Sequence, residues 1–386
     1  MIARAATRSP PDAEGASLLT PLDDSPWHQL PTTFDHVGTS DVRFFDRLWF
    51  AASERGGAGA LQFTIGVYQN MNVVDGGFVV IVDGRQHNVR ASRQLRPQYE
   101  TACGPLRLDV VEPLRHLRLQ VSPGVHGLAA DIHWLAVLDP EEEPQHFVRR
   151  DGRVLEDYCR MDQIGECEGW VEAGGSRQQL DGWWSCRDHS WGVRERVGIP
   201  EPVTAPPATP GGGSLFAFLF YSTDRYGGHV QVARRAEGHE STSVRIRPRE
   251  GGKERHGLPV RIAADFVDAG RPRRIRAGSF AVGSDTTLDV AAAGPAVAMP
   301  GLGYGGYDDG LGLGVWRGRA HVESEVWDVS HPAEVGMPDG SRGRPAHRIQ
   351  PVTVTQHGPD GTSRGTGSLT FIAEGPLDAL GVAPLG

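Results

Sequence analysis

The chain has 386 residues, a formal net charge of −9 and a hydrophobic fraction of 39%. That is enough apolar material to bury a core without metal or disulfide staples, and the acidic balance excludes the basic footprint of a nucleic-acid-binding protein. The 51 glycines and 28 prolines follow no three-residue period and imply many turns between short strands, and the single lysine, Lys253, sits in a polar Gly-rich stretch that gives it no burial and so excludes most lysine chemistry.

Residues 1–20 carry arginines but no apolar h-region, so they read as a loose tail and not as a signal peptide. The four cysteines, Cys103, Cys159, Cys167 and Cys186, form no CxxC pair, which fits reduced thiols in a cytoplasmic protein. Residues 41–52 (DVRFFDRLWFAA) fit either a helix or a strand. Asp75-Gly76 and Asp83-Gly84 flank the β-rich run 78–82, and Asp-Gly between such runs signals hairpin turns. Strands are then expected over 106–112, 116–121, 128–138, 165–171 and 177–186. Residues 201–214 are rich in proline and glycine and read as a linker between a β-rich domain over 21–200 and a second over 215–386. The second half repeats the style, with strands expected over 215–222, 229–233, 242–246, 261–266, 274–282, 287–291, 319–328, 348–356 and 367–372. Its longest apolar run, residues 215–221, is too short to span a bilayer, so no integral membrane segment is expected. The reading is all-β: two antiparallel β-rich domains in tandem.

Two motif matches fail on context. Gly301 to Gly306 spells GxGxxG, but neither a preceding strand nor a following helix supports a dinucleotide site. Gly361-Thr362-Ser363-Arg364-Gly365 spells GxSxG, yet a strand follows it and every histidine lies upstream, so it reads as a hairpin turn rather than a nucleophile elbow. The run Glu141-Glu142-Glu143 between two prolines reads as a solvated loop.

Three clusters carry chemistry. In residues 181–194 (DGWWSCRDHSWGVR) strand alternation puts Trp183, Ser185, Arg187, His189 and Trp191 on one face and Trp184, Cys186, Asp188 and Ser190 on the other. Histidine, arginine and two tryptophans on one face suit the wall of a ligand-holding barrel, with His189 as acid or base and Arg187 or Arg194 holding charge. The bland alternative is a fold-stabilising knot at a strand end with Asp188 and Arg194 paired. In residues 316–328 (WRGRAHVESEVWD), His321, Glu323, Glu325 and Trp327 share one face. That face is open to three readings: an outward polar surface, a polar lumen, or a His-x-Glu-x-Glu metal site. Tyr68, Asn70 and Asn72 also share a face, as hydrogen-bonders to a ligand or as turn caps.

The stretch Asp188-His189-Ser190-Trp191-Gly192 resembles the DHxWG signature of the hydroxyneurosporene synthase (carotenoid 1,2-hydratase) and AttH-like family. Ser25-Pro26-Trp27-His28, residues 43–50 (RFFDRLWF) and residues 316–328 are similar to bacterial members of it. The resemblance implies two lipocalin-like barrels in one chain, a scaffold shared by carotenoid hydratases, Diels–Alderase-type cyclases and lipid-handling proteins. In hydratase members the motif histidine and tryptophan are implicated in protonating an alkene. These positions fall on His189 and Trp191, and the acid partner from a downstream strand falls nearest Tyr221 and Asp224. The expectation is an enzyme without cofactor or metal, acting by acid–base chemistry on a C=C bond of a hydrophobic substrate (a terpenoid, polyketide or lipid) by hydration, isomerisation or cyclisation. The alternative is a non-catalytic carrier of such molecules.

Overall fold

A computed structural model describes residues 20–385 except 25, 27, 28, 151, 199–212, 236, 237, 239, 306 and 308. The tail before residue 20, most of the 201–214 linker and three residues of the Ser25–His28 stretch thus lie outside the described residues.

Two curled antiparallel sheets dominate the described residues. The first is built around a run of neighbours in which Arg85–Gln94, Val73–Val82, Ala60–Tyr68, Phe44–Ser53, Ser176–Val193, Arg153–Ala173, Leu128–Ala136, His116–Val121 and Leu106–Glu112 pair in that order. The second runs from Glu240–Pro248 through Tyr226–Arg235, Ser214–Thr223, Gly361–Glu374, Arg348–Gly358, Thr286–Ala292 and Ile275–Val282 to Val260–Phe266. The all-β, lipocalin-like reading of the sequence holds. Residues 41–52 resolve as the strand Phe44–Ser53, which is rich in aromatic residues and pairs on one side with Ala60–Tyr68 and on the other with Ser176–Val193. No helix among the described residues is long and apolar enough to cross a membrane.

The first sheet takes in strands from far along the chain. Ala320–Asp328 pairs antiparallel with Arg85–Gln94, from Ala320 opposite Arg93 to Asp328 opposite Arg85, and Val335–Gly336 and Arg342–Gly343 extend that edge. The chain thus returns to its first sheet before completing its second.

Turn chemistry is met at one Asp-Gly and fails at the other. Asp83 (φ 49°) and Gly84 (φ 72°) both take positive φ, the mirror-image turn that matches strand twist. Asp75-Gly76 lies inside the Val73–Val82 strand instead. Asp75 is buried and accepts from Arg47 Nη1 at 2.8 Å, so the carboxylate is held by a buried cation rather than by a turn. Gly77 is needed where it stands: a Cβ there would lie 2.9 Å from the backbone of Leu302, the segment that crosses this face.

Three of the apolar clusters among the described residues follow from the alternation. Phe50, Phe63, Phe78, Trp134 and Trp183 fill the first barrel. Tyr221, Phe280, Leu288 and Leu369 fill the second. Trp49, Trp184, Phe218, Phe220 and Trp327 form a third, in which the outer faces of the two sheets meet. Adjacent tryptophans therefore serve different cores, Trp183 the first barrel and Trp184 the contact between sheets. Trp184 Nε1 donates to Ser222 Oγ of the second sheet at 3.0 Å. The run 215–221 is apolar throughout because both faces of its strand are buried.

Candidate functional site

A cavity of about 120 Å³ lies between the two sheets. The first sheet contributes Trp49, Arg160 and Asp188, and Arg194 follows directly after. The second contributes Phe216, Phe218 and Phe220 from alternate positions of one strand, with Ile349, Ser368 and Thr370. Met299 and Tyr304, from the segment crossing between sheets, and His347 complete the wall. The aromatic residues supply an apolar surface, and a few convergent polar groups break it, as in small-molecule sites generally.

The polar groups are tuned by burial. Burial pushes the Asp188 carboxyl above its ordinary range, against the opposing pull of Arg160 and Arg194. Burial pushes the His347 imidazole down to about 4, with Arg194 and Arg196 adding to the effect, and its ring meets Tyr304 edge-on at 5.3 Å. Arg160 is fixed by several partners: Nη2 donates to Tyr158 Oη at 3.1 Å and Nη1 to Gln231 Oε1 of the second sheet at 3.1 Å. Its guanidinium also lies 5.5 Å from the Phe218 ring centroid, within cation–π range. Arg194 stacks over Phe45 at 4.4 Å.

The sequence-derived candidates divide by strand face. Trp183 points into the first barrel's core. Arg187 is buried beside it, with Nε and Nη2 donating to Gln163 Oε1 at 3.0 and 2.6 Å and the guanidinium 4.8 Å from the Trp134 ring. Burial lowers it to about 10. His189 and Trp191 follow on the same face, beyond the packed core: His189 Nε2 lies 2.7 Å from Asp46 Oδ1 and its ring sits 5.1 Å from that of Trp191, which is 38% exposed. Neither lines the cavity. Asp188, one residue away, faces the opposite side and does.

Tyr221 is buried in the second barrel, where its hydroxyl donates to Gln356 Oε1 at 3.1 Å. Asp224 is exposed at the next turn, on the rim of an open depression with Arg225, Arg249 and Asp360. The depression is larger, about 470 Å³, but its rim is made of exposed turns, and Arg225 Nη1 is already committed to the Asp360 carbonyl at 2.6 Å. Tyr68 is fully buried against Arg47. Asn70 Nδ2 donates to the carbonyls of Thr39 and Asp41, each at 2.9 Å. Asn72 takes a left-handed φ of 56° and its Oδ1 accepts from Arg96 N at 3.0 Å, so both asparagines fasten turns.

The His321, Glu323, Glu325 and Trp327 row faces Arg90, whose side chain is 2% exposed. Arg90 Nε lies 2.6 Å from Glu323 Oε1, and Arg90 Nη2 contacts Glu325. Glu325 Oε2 also accepts from Trp327 Nε1 at 2.6 Å, and His321 lies 3.2 Å from Glu323. A guanidinium thus occupies the place a metal would take. The Glu141–Glu143 run is also not the solvated loop expected: Glu141 and Glu143 are each 4% exposed. Glu143 N donates to Arg160 O at 2.9 Å, which continues the pairing and turns alternate carboxylates inward.

Sequence reasoning missed Arg160, Tyr304, His347 and Trp49. The alternation of Phe216, Phe218 and Phe220 was a legible sign of an aromatic face. Trp49 falls within residues 43–50, quoted above without a site role, and Arg160, Tyr304 and His347 lie singly on distant segments.

No curated protein matches the chain in sequence. Among solved structures, a Nitrosomonas europaea protein described as AttH (NE1406) aligns over 90% of this chain and 98% of its own, with a TM-score of 0.52 and 12% identity. At that identity it shows the fold, and it agrees with the architecture implied by the DHxWG stretch. Kievitone hydratase from Nectria haematococca (84% of this chain, 88% of its own, TM-score 0.44, 9% identity) and CghA with Sch210972 (86%, 88%, 0.45, 9%) align more loosely. Residues 19–339 match DUF8625, a family of unknown function, and the span includes the strand that returns to the first sheet. The chain belongs to the DUF8625 family.

Proposed function

We propose that the cavity between the sheets binds the apolar end of a small molecule and that the protein acts on a C=C bond there by acid–base chemistry, through hydration, isomerisation or cyclisation, with Asp188 moving the proton. The observation that carries this reading is the placement of Asp188 in an aromatic wall with Arg160 and Arg194 beside it. A carboxylic acid in such a place can donate a proton to carbon and take one back. Two guanidiniums nearby disfavour a free carbocation and favour developing negative charge on oxygen. The substrate class that fits is therefore an alkene conjugated to a carbonyl or bearing an acidic oxygen, held by Arg160 and Arg194 while Asp188 serves the carbon. A volume of about 120 Å³ is smaller than the ~150 Å³ apolar cavity that holds benzene, so it admits a branched alkenyl end rather than a whole ring. The rest of the molecule extends through the opening. His189, on the far face with Asp46, takes no part in this reading.

The test begins with native mass spectrometry of the protein from its own host and extraction of what it retains. The extracted molecule is then returned to the protein in D2O. The expected result is deuterium incorporation at its C=C bond by the wild type and by His189→Ala. Asp188→Asn should retain the molecule and lose about 10²–10⁴ in rate. Retention without incorporation by the wild type overturns catalysis and leaves the carrier reading. Equal rates in Asp188→Asn overturn the assignment of the proton.

A further inference from the structure

A second buried polar cluster lies beside the cavity and is not used by the chemistry above. Glu143 and Asp162 reach into it from the first sheet, and His229 reaches into it from the second. Their side chains are 0%, 2% and 2% exposed. One donor atom from each lies within 4.8 Å of the other two. The Asp162 carboxyl faces that of Glu143, neither of its oxygens accepts a hydrogen bond from an N–H or O–H donor among the described residues, and His229 Nδ1 and Glu141 Oε2 also lack a hydrogen-bond partner.

The histidine fixes the polarity of the site. His229 Nε2 lies 2.8 Å from Ser243 Oγ. With Nε2–H donating to that hydroxyl, Nδ1 presents its lone pair to Glu141 Oε2 at 3.2 Å and Asp162 Oδ2 at 3.6 Å. Arg245 Nε stands 3.6 Å from Glu141 Oε2 without a hydrogen bond to it, so a lone pair facing two carboxylates in a dry interior still calls for a cation between them. Anchoring of the second ring nitrogen is also what imidazole ligands of metals show.

We propose that Glu143, Asp162 and His229 bind a first-row divalent metal ion of the zinc class, which clamps the two sheets together. Nitrogen and carboxylate donors in this number suit such an ion, and each donor closes by less than about 1 Å to reach bonds of about 2.0–2.2 Å. Glu141 stands where a fourth donor would come from. His146 Nε2, 2.5 Å from Glu143 Oε2, and Arg160 Nη1, 3.4 Å from Glu143 Oε1, orient that carboxylate from outside, a supporting role typical of such sites. The site draws its donors from both sheets, so its occupancy is tied to their association.

The full chain, stripped with a chelator and dialysed, is titrated with Zn²⁺ by calorimetry and with Co²⁺ by visible absorption. The expected result is one ion per chain, ligand-field bands of a four- or five-coordinate Co²⁺ site, and a melting temperature that rises with Zn²⁺. Asp162→Asn and His229→Gln should each weaken Zn²⁺ binding at least tenfold and abolish the rise in melting temperature. No saturable binding by the wild type, or binding unchanged in both variants, overturns the proposal and leaves a proton as the cation in the cluster. Where circular dichroism shows that the variants fail to fold, the wild-type spectrum decides: a Co²⁺ spectrum no stronger than that of the hydrated ion overturns the site.

Discussion

Asp188 and His189 are neighbours in the chain with opposite surroundings. Strand geometry sends successive side chains to opposite faces, so a one-residue step takes the chain from the aromatic wall between sheets to an outward pair with Asp46. This is why Asp188→Asn and His189→Ala are expected to separate cleanly in rate. His347 gives a second test at this scale, read through stability. Its folded value of about 4 lies below the ordinary 6.5. Between those values the unfolded chain binds a proton that the folded chain does not, so stability is present above pH ~6.5 and is lost as pH falls towards ~4. In His347→Gln the melting temperature should fall less between pH ~7 and ~4.5 than in the wild type. Equal slopes would show that His347 does not titrate in the cavity wall. Which residues line the cavity was legible in the sequence only in part. The density of tryptophan, arginine and histidine in residues 181–194 drew attention to a strand that lines the cavity. It did not show which face borders the cavity, because alternation defines two faces without saying which one a second sheet will cover.

At the scale of elements, the Ala320–Asp328 strand is held to the first sheet by its ladder and by Arg90. That guanidinium is buried while its partners Glu323 and Glu325 are 15% and 19% exposed. Removing the shared cation leaves two adjacent carboxylates facing each other. Arg90→Gln should therefore cost about 3 kcal/mol in urea unfolding, and amides of 320–328 should lose more hydrogen-exchange protection than those of 73–82. A uniform loss across both strands would show that Arg90 supports the barrel rather than the added edge. The His-x-Glu-x-Glu spacing was open between an outward polar row, a lumen and a metal site, since all three need acidic residues at alternate positions. Only the partner strand decides, and here Arg85–Gln94 brings an arginine. The Glu141–Glu143 run shows the converse. Three consecutive acids between prolines look like loop, but pairing with Arg153–Ala173 turns two of them inward, where Arg160, Arg245 and His229 meet them.

At the scale of the molecule, the two barrels share a cavity, a tryptophan-rich contact and one strand that returns to the first sheet. A fragment ending at residue 198 would expose Arg85–Gln94 as an open edge and leave Trp49, Trp184 and Asp188 facing water, conditions that favour edge-to-edge association. The expected outcome is a fragment that aggregates on its own, as seen by gel filtration. A monomeric, cooperatively unfolding fragment would show that the first sheet closes without Ala320–Asp328. The sequence by itself determined that the chain is all-β, where most strands lie, that Asp83-Gly84 turns a hairpin and that residues 215–221 belong to an apolar strand. Each of these follows from local alternation, turn chemistry and composition. The tertiary structure alone decided that Asp188 rather than His189 lines the cavity, that Arg160, Tyr304 and His347 join it, and that Asp75 pairs with Arg47 inside a strand. Those outcomes depend on segments far apart in the chain meeting across two sheets, and a period of two residues carries no information about which surfaces meet.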